Sequence, residues 1–285
     1  MDYLLLSDIE AISKILDIFD TELAEKLGVH RATLARWKNG SVTVPESQID
    51  KIYNLAFDNG IKLNSIKAQF YKEEVERSKA KVLFHGAKHG ISGKLSLKFS
   101  KENNDFGIGF YCGESLEQSA MFVTEYKAPS LYIIKADLAG LKKCEFSVEQ
   151  DWAIAIAHFR GKLGDYSEHS YVKKILKKIE AADYIIAPIA DNKMFETIDE
   201  FVDGNITDIQ CQHCLSATNL GKQYVFRTEK ALEHVSTLQK CWLSTNEREF
   251  YVNERHIAYE DGINKIKLAK QKYRGQGKYI DEVLK

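Results

Sequence analysis

The spacing of apolar and polar positions divides the 285-residue chain into a helical first part and a mixed later part. Over residues 9–69 the apolar positions recur at helical intervals. Residues 19–29 form a short amphipathic segment ending at Gly28, where a left-handed turn can reverse the chain. Asp20 stands where a carboxylate accepts the free N–H groups of a helix start. Residues 30–38 predict a second helix, stopped by Asn39-Gly40, with Leu34 and Trp37 on its inner face. His30, Arg31 and Thr33 then point outward, with Arg36 and Lys38 further along. Residues 67–81 are dense in Lys and Glu, lack Gly and Pro, and predict a connecting helix.

From Val82 the period changes. Short apolar or aromatic runs predict strands over 82–85, 109–112, 131–136, 184–189 and 224–227. Helical patterns fall between them at 117–126, 150–160, 170–182 and 192–203. There is no strict βαβ rhythm and no glycine-rich fingerprint after a strand, which disfavours a Rossmann fold. After Leu238 the pattern is helical and increasingly basic, with Lys265, Lys267, Lys270, Lys272, Arg274 and Lys278. A solvated helical tail explains those charges more simply than a nucleic-acid contact. The expected class is α+β: a helical domain over 1–70, a helical linker over 71–81, a mixed strand-and-helix domain over 82–240 and a basic helical tail over 241–285.

Composition narrows the function classes. A hydrophobic content of 44% with 28% charged residues is that of a globular protein, and a net charge of −1 gives no global attraction to nucleic acid or anionic membrane. The start, Met1-Asp2-Tyr3-Leu4-Leu5-Leu6, has no basic region or cleavage site of a secretory leader, and no run approaches a membrane-spanning length. Five irregularly spaced cysteines suit a reducing cytoplasm. Cys211-Gln212-His213-Cys214 lacks the second ligand pair a structural zinc needs, so buried free thiols are expected there and no metal. Residues 1–78 carry 10 Lys/Arg against 13 Asp/Glu. That balance leaves two readings of the first helices: a DNA contact through His30, Arg31, Thr33, Arg36 and Lys38, or a small bundle for protein contacts.

Three strings carry the candidate chemistry: Leu83-Phe84-His85-Gly86, Asp105-Phe106-Gly107-Ile108-Gly109-Phe110-Tyr111 and Lys222-Gln223-Tyr224-Val225-Phe226. They resemble the three active-site strands of the ADP-ribosyltransferase superfamily, in the His-Tyr-Glu branch that holds diphtheria-toxin-like toxins and poly(ADP-ribose) polymerases. The resemblance covers about residues 82–238 and implies a split β-sheet domain that cleaves NAD at the nicotinamide–ribose bond. It implies that His85 holds an adenosine-ribose hydroxyl, that the Gly86 backbone holds the nicotinamide amide, and that Tyr111 lies along one face of nicotinamide. Ser119 falls where polymerase-like members bind the same carboxamide, and Phe122 where they place a second aromatic.

The departure is Gln223, which stands where the family carries a catalytic glutamate. Glutamine is itself the pattern in a bacterial subgroup of unassigned function, which Asn104-Asp105-Phe106-Gly107 and Ala187-Pro188-Ile189-Ala190-Asp191 also resemble. Glu229 is a reserve carboxylate. Asn104, Asp105 and Asp191 are candidates for ordering loops at the site, and Lys98 and Lys101 for meeting the pyrophosphate. The first helices resemble the helix-turn-helix of phage-repressor-like regulators. The implied catalytic set is His85, Tyr111 and Gln223, with NAD as substrate bound also by Gly86, Asn104, Asp105, Ser119 and Phe122. The expected function is a cytoplasmic mono-ADP-ribosyltransferase acting on a macromolecule, possibly as a toxin repressed by an antitoxin. The alternatives are a DNA-binding regulator that senses NAD or ADP-ribose, and an NAD glycohydrolase.

Overall fold

The computed structural model describes residues 3–78, 80–218 and 220–285. Met1 and Asp2, read above for the absence of a leader, and Lys79 of the expected linker lie outside them. The fold is α+β and divides into two units. One comprises Met1–Ser92, Ser119–Ala136 and Thr237–Glu254; the other comprises Gly93–Gln118, Asp137–Ser236 and Arg255–Lys285. The division interleaves along the chain and so does not follow the four consecutive segments expected from the sequence.

The first unit begins with helices α1 (Leu5–Ile15), α2 (Asp20–Leu27), α3 (Arg31–Lys38), α4 (Glu46–Asp58) and α5 (Leu63–Glu76). Their apolar stripes close on one core containing Ile9, Ile12, Leu23, Leu34, Trp37 and Ile52. α2 stops as the sequence predicts: Gly28 adopts φ +68°, and its N–H and that of Val29 bond back to Glu25 O and Ala24 O, each at 2.9 Å. The expected Asp20 cap is not made. Phe19 occupies the cap position, and the Asp20 carboxylate takes the Lys38 ammonium at 2.7 Å. The linker helix is shorter than expected, since α5 ends at Glu76 and a strand starts at Lys81.

Seven strands occur among the described residues: β1 (Lys81–Ala87), β2 (Phe110–Gly113), β3 (Ser130–Ala136), β4 (Lys143–Glu145), β5 (Tyr184–Pro188), β6 (Lys222–Phe226) and β7 (Val235–Cys241). In the first unit β1 runs antiparallel to β3, with His85 opposite Tyr132 and Gly86 opposite Leu131. In the second unit the order is β4-β5-β6-β2, with β4 parallel to β5 and β6 antiparallel to both its neighbours. Helices α6 (Leu116–Val123), α7 (Gln150–Phe159), α8 (Ser170–Glu180), α9 (Asn192–Val202), α10 (Asp208–Ser216) and α11 (Glu229–Glu233) separate the strands, and α12 (Thr245–Lys272) and α13 (Ile280–Val283) follow them.

The core of the second unit includes Trp152, Ile156, Val172, Ile185 and Val225. Cys211 and Cys214 lie buried on α10 as free thiols, and burial pushes the Cys214 thiol up to about 11. No described helix is long and apolar enough to cross a membrane.

Candidate functional site

In the second unit, β6 supplies the third string, and its pairing decides which side chains meet. Gln223 lies opposite Gly113 on β2 and Ala187 on β5, while Val225 lies opposite Tyr111 and Ile185. Directly opposed residues share a face, so Tyr111 and Gln223 are diagonal neighbours on one side of the β2–β6 pair. Gln223 is 6% exposed. Its Nε2 donates to Asp105 Oδ2 and to the Pro188 carbonyl, both at 3.0 Å.

Asp105 is held from its other oxygen by Arg160 Nη2 at 3.4 Å. The Arg160 guanidinium lies over the Phe195 ring, 3.2 Å from its centroid. Burial raises the Asp105 carboxyl from its usual value, and the Gln223 hydrogen bond and Arg160 charge oppose that shift. Arg160, Phe195 and the Pro188 carbonyl were not anticipated as part of this cluster. Only the buried carboxylate at 105, which requires partners, signals them.

The loop before β2 is a closed hydrogen-bonded unit. Ser100 Oγ accepts from Asn104 Nδ2 at 3.1 Å and from the Gly109 N–H at 3.0 Å, and Asn104 Nδ2 also donates to Lys101 O at 2.9 Å. Asn104 therefore spends its amide on ordering the loop. The Tyr111 hydroxyl donates to Gly107 O at 2.7 Å and accepts from the Phe106 N–H at 3.1 Å. Burial, its largest cause, raises the phenol well above its ordinary value, so this group carries no proton chemistry near neutrality. Gly107 has φ +71°, and a Cβ on Gly109 would fall 2.5 Å from Val225 Cγ1, so both glycines are required by the fold itself. Asp191 caps α9, accepting from Met194 N–H at 2.8 Å. Glu229 is the first residue of α11 and is exposed, as are Lys98 and Lys101.

In the first unit, His85 is half-buried with its ring 6.4 Å from that of Tyr132. A Cβ on Gly86 would lie 2.6 Å from Ser119 O and 2.7 Å from Val123 Cγ1. The space beside Gly86 is thus filled by the chain at α6, and that close approach requires glycine here. Gly86→Ala is expected to cost about 1–3 kcal/mol by overpacking, checked as a lowered urea midpoint at unchanged slope. Ser119 is buried and donates to Phe84 O at 3.3 Å, whereas Phe122 is 62% exposed. The two side chains, three residues apart, sit in very different surroundings.

On the predicted nucleic-acid face, Arg31 and Arg36 are exposed. His30 is exposed and caps α3, its Nδ1 accepting from the Ala32 N–H at 3.2 Å. Thr33 is half-buried, and Lys38 is paired with Asp20.

No curated protein and no solved structure matches the chain. One family model, described as "Protein of unknown function (DUF3990)", matches residues 81–237, from the first residue of β1 into β7. That match covers more than half of the sequence, and the chain belongs to the DUF3990 family.

Proposed function

We propose that the chain is an NAD-dependent mono-ADP-ribosyltransferase of the split-sheet His-Tyr-Gln kind, with a helix-turn-helix module in its first helices. In the reaction the C1′–N bond to nicotinamide breaks and its electron pair leaves with nicotinamide. A lone pair of the acceptor forms the new bond to C1′, and the acceptor's proton passes to solvent. The leaving group is already cationic in NAD, so the protein's task is to clamp the dinucleotide and stabilise charge developing on the ribose. His85 and Gly86 are assigned to holding NAD, Tyr111 to the nicotinamide face and Gln223 to the ribose.

The observation that carries this reading is the placement of Tyr111 and Gln223 as diagonal neighbours on one face of β2 and β6, with the amide of Gln223 fixed by two acceptors. Tyr111's buried, bonded hydroxyl agrees with a ring used for stacking rather than for proton transfer. Incubation with NAD labelled in the adenylate, together with cell extract, is expected to release nicotinamide and label a macromolecular fraction. Tyr111→Ala is expected to lower both. No release from the folded wild-type protein overturns the assignment.

A second reading keeps NAD binding and omits turnover: a DNA-binding regulator whose later domain senses the dinucleotide. The exposed Arg31 and Arg36 on α3 favour it. Saturable NAD binding without nicotinamide release selects it.

A further inference from the structure

Gln223 stands where a carboxylate is expected, yet the surroundings of its side chain are those that only an amide satisfies. Its Nε2 has two N–H groups, and both find acceptors that donate nothing in return: Asp105 Oδ2 and the Pro188 carbonyl. The amide cannot be turned over, because that would set its oxygen against a carboxylate and a carbonyl. With both donors spent, the Gln223 side chain has only Oε1 to offer a ligand. Oε1 is an acceptor, the same chemistry one glutamate oxygen would present to a ribose hydroxyl.

The negative charge is also present, one side chain further back. Asp105 is 13% exposed at its side chain. One of its oxygens lies 3.0 Å from the Gln223 amide, and the other is held only loosely by Arg160, at 3.4 Å. A carboxylate accepting from an amide polarises it, drawing electron density toward the amide oxygen. We propose that Asp105 is the positioning residue of the site: it aims Gln223 Oε1 and supplies, through that amide, the negative charge that the third strand lacks. This rests on the transferase reading given above. It also implies that Gln223 is no impaired glutamate. A glutamate at 223 would place a second carboxylate at hydrogen-bond distance from Asp105, where two like charges must share a proton.

The test is steady-state release of nicotinamide from NAD at pH 8 by the full chain and three folded variants, with folding checked by thermal denaturation. Asp105→Asn is expected to lower kcat on the order of 10²-fold while leaving KM for NAD within about threefold. Gln223→Glu alone is expected to fall below wild type. The double variant Asp105→Asn/Gln223→Glu exchanges amide and carboxylate across the same hydrogen bond and is expected to recover most of the loss; a merely structural clamp would show no such rescue. A Gln223→Glu protein more active than wild type, an Asp105→Asn protein with wild-type kcat, or a folded double variant no better than Asp105→Asn overturns the proposal and leaves the transferase reading standing. A wild-type protein that releases no nicotinamide refutes that reading, and this inference with it.

Discussion

Replacing Lys67 with methionine is expected to cost about 3–5 kcal/mol of stability in the first unit, the cost of breaking a buried ion pair by removing one partner. Lys67 Nζ lies 2.5 Å from Asp8 Oδ2, with side chains 11% and 5% exposed. The Tyr53 hydroxyl donates to the same oxygen, and Tyr53 is itself 4% exposed. Without Lys67 the carboxylate would keep one neutral donor in a core lined by Ile9, Ile12 and Ile52. A carboxylate so placed either stays charged at high cost or takes up a proton. Native-state hydrogen exchange localises the effect: amides of α1, α4 and α5 should lose protection, and the urea midpoint should fall. An unchanged midpoint would show that Asp8 finds another partner. Changing Asp8 and Lys67 together to apolar residues of similar size is expected to cost less than Lys67→Met alone.

The second large effect depends on pH and centres on Glu247. This residue is 4% exposed and receives the Asn64 Nδ2 at 3.0 Å. Burial is the largest cause of its shift and lifts the carboxyl from 4.5 to about 7; the Asn64 hydrogen bond and the Lys67 and Lys62 charges pull the other way. The folded state thus binds the proton more tightly than the unfolded state does. Stability is highest below the unfolded value of 4.5 and is lost as the pH rises through about 7. The full difference is on the order of 3 kcal/mol. Denaturation midpoints of the wild-type protein should fall between pH 5 and pH 8. Glu247→Gln, which keeps the shape and cannot ionise, should flatten that dependence and be the more stable protein at pH 8. A parallel decline in both proteins would place the proton elsewhere.

The parts of the fold legible in the sequence are those where one period dominates. The apolar runs at β1, β3 and β5 and the amphipathic repeats of α7, α8 and α9 lie where the pattern predicts, within a few residues. Two strands escaped. β4 has only three residues, of which Lys143 and Glu145 are exposed, so no apolar run marks it. β7 reads Val-Ser-Thr-Leu-Gln-Lys-Cys, and its buried Gln239 breaks the expected alternation. It takes up the start of what looked like a basic helical tail.

At the site, the three strings were legible because strand periodicity and glycine spacing are local. The Asp105–Gln223 bond was not, since it joins residues 118 apart and depends on β5 and β2 flanking β6. Gly86 was legible as a position that needs glycine. The reason lies in the Ser119 backbone and Val123 side chain, which no local pattern reveals.

That separation of 118 residues also has a bearing on how the protein is made. At ~5–20 residues per second of synthesis, the loop bearing Asp105 emerges from the ribosome about 6–24 s before the strand bearing Gln223. Throughout that interval β2 has no β6 to pair with, and its backbone donors and acceptors on that side stay open to any extended peptide nearby. Nascent chains halted before β6 should therefore be the species that chaperones hold and that aggregate when chaperones are scarce.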